Sequence, residues 1–171
     1  MNDSAIARTM SLLAVLAGSW RGTGRGEYPT IENFRYDERL RFEVDSSYPL
    51  IHYEQRTRLS PRGDASHWES GFIRPVAGGS VEISNSQDSG RVEVLRGRAT
   101  SDGRSGLSLR LELDSVVLDH DPRLHRTRRL LTVHGDTLVY EVMMATHTTP
   151  RPRLQGHLRA ALQRGTDDGT T

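Results

Sequence analysis

The chain carries seven histidines and no cysteine, so any metal centre it builds must use imidazole or carboxylate ligands, and it can form no thiolate site. His157 lies within Arg153-Leu-Gln-Gly-His-Leu-Arg-Ala-Ala-Leu-Gln-Arg164, where Leu154, His157, Leu158, Ala161 and Leu162 recur at helical spacing. This predicts a short C-terminal helix with His157 in the middle of its apolar stripe. A neutral imidazole in that setting can give one nitrogen to a metal while a carbonyl or carboxylate holds the other, or it can be a core histidine satisfied by ordinary hydrogen bonds. Spacing leaves both readings open. His120, Asp121 and His125 have metal-ligand types, but the proline between them reads as a solvated loop. His134 precedes Gly135-Asp136 and is turn material; His147 ends a strand and can face either way. His67 opens a strand and is placed to line a cavity mouth, and His52 is expected to pair with a strand carboxylate. No serine stands in a nucleophile elbow and no carboxylate pair is singled out for acid–base work. The chain reads as a container whose chemistry a cofactor would bring.

The segment Gly18-Ser-Trp-Arg-Gly-Thr-Gly-Arg-Gly26 sets glycines at alternate positions beside Trp20. A phosphate-binding loop would have to follow a strand and open a helix, and Tyr28-Pro29-Thr30 starts no helix. Glycine within a strand instead marks a close backbone approach or a sharp bend. From Trp20 onward the pattern has period two: Leu40, Phe42 and Val44; Leu107 to Leu113; Leu138 to Met144. Turn signals such as Ala77-Gly78-Gly79-Ser80 and His134-Gly135-Asp136 separate these runs. Strands are expected near 19–27, 34–45, 50–59, 67–76, 80–86, 91–100, 106–117, 126–133 and 137–146, with one further short piece. With no long helix to cover the apolar face, the sheet must close on itself. The expected fold is all-β, an antiparallel up-and-down barrel of about ten strands with short N-terminal and C-terminal helices, and a two-sheet sandwich ranks second.

At 171 residues and a formal net charge of +1, the chain is one domain with no charged patch for nucleic acid or a membrane surface. Every basic residue is arginine. The apolar run Met10 to Gly18 sits at the short end of the range for a signal h-region and Asp3 spoils the positive n-region before it, so an amphipathic helix is the better reading. A cytoplasmic location follows from that reading, which the absence of cysteine suits. The domain is drawn as 1–164, with 165–171 as a disordered tail.

Gly18-Ser-Trp-Arg-Gly-Thr-Gly24 resembles the GxWxGxG signature of the nitrobindins, a haem-binding β-barrel family similar to fatty-acid-binding proteins. The resemblance continues, in order, through Tyr28-Pro-Thr-Ile31, Tyr53-Glu-Gln-Arg-Thr57, Glu69-Ser-Gly-Phe-Ile-Arg-Pro75, Gly90-Arg-Val-Glu-Val94, Leu138-Val-Tyr140, Met144-Ala-Thr146 and His157-Leu-Arg-Ala-Ala-Leu162. It implies one b-type haem (heme b) per chain with His157 as axial ligand, Thr30 close to the haem, and His67 lining the cavity without bonding iron. Gly22, Gly24 and Gly26 would then let the first strand approach the wall closely, with Trp20 plugging one end. It also implies a peroxynitrite isomerase: NO binding by ferrous haem, and conversion of peroxynitrite to nitrate by ferric haem. Small-molecule ligands are the expected partners, and a homodimer is admitted. His147, with Pro150 and Pro152 beyond it, is a second imidazole able to compete for iron. The alternative is a non-enzymatic carrier of a fatty acid or other apolar molecule, with Arg56, Arg58 or Arg128 gripping a carboxylate.

Overall fold

The computed structural model describes residues 2–101 and 107–165. A helix, α1 (Asn2–Leu13), runs into a 3-10 turn at Ala14–Leu16 and then into ten strands: β1 (Gly18–Tyr28), β2 (Ile31–Val44), β3 (Ile51–Leu59), β4 (Ala65–Val76), β5 (Ser80–Gln87), β6 (Val92–Thr100), β7 (Ser108–Asp119), β8 (Leu124–His134), β9 (Thr137–Thr146) and β10 (Gln155–Arg164). Each strand pairs antiparallel with the next, and β1 also pairs with β10, which closes the barrel. The expected meander and N-terminal helix are both present. No helix among the described residues is long and apolar enough to cross a membrane.

Alternation decides which side chains fill the interior. Trp20, Tyr36, Leu40, Phe42, Tyr53, Ile73, Leu95, Leu109, Leu111, Leu113, Leu138 and Leu162 form the buried cluster, while their odd or even neighbours face out. On β1 the inward positions fall on Trp20, Gly22, Gly24 and Gly26, and three of the four lack a side chain for a steric reason. A Cβ on Gly22 would run into the Ala161 backbone carbonyl, one on Gly24 into the Tyr36 ring, and one on Gly26 into the Phe34 ring. The glycines thus let β10 and two aromatic rings occupy the space that β1 vacates. Trp20 is fully buried and donates its indole N–H to the Leu16 carbonyl at 2.8 Å. Leu13 and Leu16 join it, so α1 and its 3-10 turn seal one end of the barrel. Arg164 lies 4.1 Å over the Trp20 ring and donates to the Val15 carbonyl at 3.1 Å, tying the closing strand to that seal.

The predicted C-terminal helix is a strand. Residues 154–164 satisfy both periods: Leu154, His157, Leu158, Ala161 and Leu162 fit a helix, while Leu158, Ala160 and Leu162 alternate. The unpaired edges of β1 and β9 arbitrate, because only a strand can satisfy both rows of backbone groups. Leu158, Ala160 and Leu162 accordingly turn inward. Of the proposed tail, Gly165 donates its N–H to the Ser19 carbonyl at 2.7 Å, and residues 166–171 lie outside the described residues. Since the Ala161 carbonyl that a Cβ on Gly22 would meet belongs to a hydrogen-bonded strand, Gly22→Ala is expected to lower stability by about 1–3 kcal/mol in urea unfolding. A loss below about 0.5 kcal/mol would mean that β1 and β10 can separate at no cost.

Candidate functional site at the barrel mouth

The end of the barrel away from Trp20 is where β10 departs from regular pairing. Gln155 and Gly156 oppose Met144 and Met143, yet Leu158 opposes Val142, so His157 is the extra residue of a β-bulge. The bulge sets two consecutive residues, His157 and Leu158, against the same cavity, which strict alternation forbids. On the other edge the β1–β10 ladder ends at Gly26 opposite Leu158. The next β1 carbonyl, that of Glu27, accepts a hydrogen bond from His157 Nδ1 at 3.2 Å. A carbonyl only accepts, so the proton is on Nδ1 and Nε2 presents its lone pair. Nε2 has no partner among the described residues. The Tyr28 ring meets the imidazole edge-on, with centroids 5.9 Å apart, and fixes its tilt. Burial pulls the His157 pKa down, further lowered by the Arg91 and His67 charges, although the Glu27 carbonyl acts against this.

Two lobes meet at this imidazole. The inner one, 210 Å³, is lined by Phe34, Tyr36, His67, Tyr140, Val142 and Leu158 among others; the outer one, 440 Å³, by Tyr28, Thr30, Ile31, Leu124 and Thr146. Ser66, His67, Gln87, Arg91, Met144 and His157 belong to both. Together they fall in the roughly 300–1,000 Å³ range of small-molecule sites. The 660 Å³ groove over Thr23, Arg25 and Pro61 is an open outer surface. A planar group with an apolar face, a metal and anionic substituents fits the mouth: a fixed imidazole with a free nitrogen, an aromatic and aliphatic wall of Phe34, Tyr36, Val142, Met144 and Leu158, and a polar side that carries Gln87 and Arg91.

The structure brings His157, His67 and Thr30 to one cavity and leaves the other histidines out of it. Thr30 sits exposed in the turn between β1 and β2, on the rim of the outer lobe. His67 Nε2 is hydrogen-bonded to Glu69 at 3.3 Å, and its Nδ1 lies 3.4 Å from Asp88 Oδ1. His147 and His125 lie outside both lobes, edge to face with each other at 5.2 Å. No group of three metal-ligating residues occurs among the described residues, so His120, Asp121 and His125 do not assemble one. His52 bonds Ser70 at 2.9 Å and faces Glu43 at 3.8 Å. Arg56, Arg58 and Arg128 are all engaged outside the cavity, with Glu54, the Gly63 carbonyl and Asp114.

Beneath the mouth lies a polar layer that alternation predicts only in retrospect. Glu69 takes Arg129 at 2.5 Å and the Tyr53 hydroxyl at 2.7 Å, and Glu93 takes Arg129 at 2.6 Å and the Thr127 hydroxyl. Burial would raise Glu69, but the Arg129 charge and the bonds from His67 and Arg129 overcome it and hold the carboxyl well below the usual range. Glu38 lacks such a cation. It accepts from Tyr140 at 2.6 Å and from Gln55 at 2.7 Å, and burial, despite those two bonds, pushes it up to about 7.

Residues 9–164 match the THAP4-like, heme-binding beta-barrel domain. The chain belongs to that family. Haem is therefore its cofactor, and the resemblance read from the glycine and histidine motifs is borne out. Peroxynitrite isomerase 1 of Rhodococcus jostii is 40% identical over 162 residues, covering 92% of this chain and 88% of the relative. Peroxynitrite isomerase of Nocardia farcinica is 34% identical over 168 residues, 94% and 93% of the two chains. The crystal structure of Rv2717c from M. tuberculosis superposes with a TM-score of 0.81 at 31% identity, covering 94% of this chain and 99% of that one.

Glu38, Glu69, Glu93, Arg129 and Arg91 escaped sequence reasoning. The signal was there for four of them, since each keeps the inward parity of apolar neighbours: Glu38 between Tyr36 and Leu40, Glu69 before Gly71 and Ile73, Glu93 before Leu95, Arg129 before Leu131 and Val133. An acid whose folded pKa is raised stabilises the fold fully below its unfolded value of 4.5 and loses that contribution as pH climbs to about 7. Glu38→Gln should therefore gain on the wild type by about 2–3 kcal/mol in urea unfolding between about pH 5 and pH 8. Parallel pH profiles for the two proteins would show Glu38 to be an ordinary carboxylate.

Proposed function

We propose that the chain holds a b-type haem through His157 Nε2 and isomerises peroxynitrite to nitrate, binding NO when the iron is ferrous. The observation that supports it most is the imidazole whose Nδ1 is spent on the Glu27 carbonyl and whose Nε2 is left for a ligand. The names of the relatives supply the substrate. When bound, the group supplies Lewis-acid and one-electron chemistry at nitrogen oxides.

The residues do the rest. Glu27 and Tyr28 keep the His157 ring in one tautomer and one tilt. Phe34, Val142, Met144 and Leu158 give the inner lobe an apolar wall that limits water. His67, set between Glu69 and Asp88, lines the cavity with its Nε2 spent on Glu69 and turned from the metal. Thr30 stands at the rim, where its hydroxyl can meet a ligand entering the outer lobe. Peroxynitrite and nitrate contain the same atoms and carry the same charge. The conversion thus needs no proton donor and no outside electron, which suits a site that offers neither a nucleophile nor a free acid–base pair.

Haemin added to the apoprotein should give a Soret band that His157→Ala shifts and weakens, with affinity lower by about 100-fold. A spectrum and affinity unchanged in the variant would remove His157 as the ligand. In stopped flow, the ferric holoprotein should speed peroxynitrite decay and raise the nitrate yield. Decay at the buffer rate would leave a binding protein only.

A further inference from the structure

Among the described residues the buried or half-buried cations of the barrel sit on acids, with Arg91 the exception, while the buried acid Glu38 is met by neutral donors. Glu69 and Glu93 share Arg129, and Asp121 is held by Arg123 through Nε at 2.9 Å and Nη2 at 3.1 Å. Arg91 is different. Its Nε, at 2.8 Å, and its Nη2 both converge on the neutral Gln87 amide oxygen, and its Nη1 makes no hydrogen bond among the described residues, with the Asp121 carboxylate at 3.9 Å. That is too long for a hydrogen bond. Yet the side chain is largely shielded, at 23% exposure, and it lines both lobes alongside His157 and His67.

The hairpin explains the posture. Gly90 donates to the Gln87 carbonyl at 2.8 Å and Gln87 donates to the Arg91 carbonyl at 2.9 Å, so a tight turn sets the two side chains together. Gln87 then fixes the plane of the guanidinium without neutralising it. Burial disfavours the charge, and the neighbouring Glu93, Asp121 and Glu69, set against the like charge of Arg129, do not restore it. A shielded guanidinium held flat with one edge open is built for a planar oxyanion.

We propose that Arg91 is the oxyanion-recognition residue of this cavity, offering its open Nη1 edge to a carboxylate or nitrogen-oxide anion beside His157. Two sources carry that chemistry: a propionate of the haem, or the anionic substrate and its nitrate product. The assignment rests on the haem-barrel reading.

The full-length chain, wild type and Arg91→Gln, is titrated as apoprotein with haemin and with haemin dimethyl ester, whose propionates carry no charge. If a propionate sits on Arg91, the wild type prefers haemin by about tenfold and Arg91→Gln loses the preference. If the free anion sits there, that preference is the same in both proteins. Instead the nitrite Kd of the ferric holoprotein rises about tenfold in Arg91→Gln, while that of neutral imidazole does not move. Arg91→Lys, which keeps the charge and loses the fork, recovers part of either effect if charge is the cause. Changes under about twofold in both arms, with haemin bound and Tm unchanged, overturn the Arg91 assignment alone. Failure of the wild type to take up haemin overturns the haem reading. Arg91 is then judged on sodium nitrite added to the apoprotein, by whether its Nε–Hε resonance shifts.

Discussion

The closure of β1 onto β10 governs this molecule. A ten-stranded sheet leaves two rows of backbone donors and acceptors unpaired, and joining them removes both at once. The joint can form only because β1 presents Gly22, Gly24 and Gly26 to the interior, where any Cβ would strike β10 or an aromatic ring. The same joint creates the site. Where the ladder ends, at Gly26 and Leu158, the Glu27 carbonyl has no backbone N–H opposite it, and the bulged His157 supplies its own Nδ1 instead. Barrel closure, ligand tautomer and ring position are therefore one arrangement rather than three, and a shift of one residue in β10 would undo them together.

The interior is layered along its axis. Around Trp20, Leu13, Leu16, Leu138 and Leu162 it is dry and packed, and this end carries the stability. Above it the chain buries Glu38, Glu69 and Glu93 with a single direct cationic partner, Arg129, leaving Arg129 Nε and Asn85 Oδ1 without hydrogen bonds. Burying such groups costs stability unless they are matched, and Glu38 meets that cost by holding its proton up to about pH 7. The polar layer earns nothing as a core. Its place between the sealed end and the mouth makes it the floor of the cavity, where it orients His67 from below.

Strands, turns and the closed barrel were legible in the sequence because a half-buried strand announces its period, and because hairpins at short spacing leave few topologies. The C-terminal segment was not. Its residues fit both periods, and what decides between them is a pairing demand from residues more than a hundred positions away, which no local window contains. His157 was flagged as an inward imidazole for the wrong local reason, the stripe of a helix, and reaches the cavity through a bulge. His67 and Thr30 were placed by family resemblance, and the structure puts both against the same cavity as His157. Arg91 lay in the Gly90-Arg-Val-Glu-Val94 segment of the resemblance but drew no role from it, since its meaning depends on Gln87 across the hairpin and on the acids that other arginines have already taken.

That distribution of charge also weighs the two readings of the cavity against each other. A fatty-acid carrier draws a carboxylate deep into the barrel and meets it with a cation there. Here the deep groups are mainly acids, Glu38, Glu69 and Glu93, and the one arginine among them is already bound to two of them. A fatty acid entering head first would bring a fourth carboxylate into a shielded, acidic layer, which Coulomb repulsion at short range opposes. The arginines that a carrier would use, Arg56, Arg58 and Arg128, are spent outside. A ligand whose apolar plane lies in the mouth, with its anionic groups near Arg91 and its metal at His157, meets no such conflict. The position of the unmatched cation, high in the cavity rather than at its floor, is thus the physical reason to prefer haem over a lipid in this barrel.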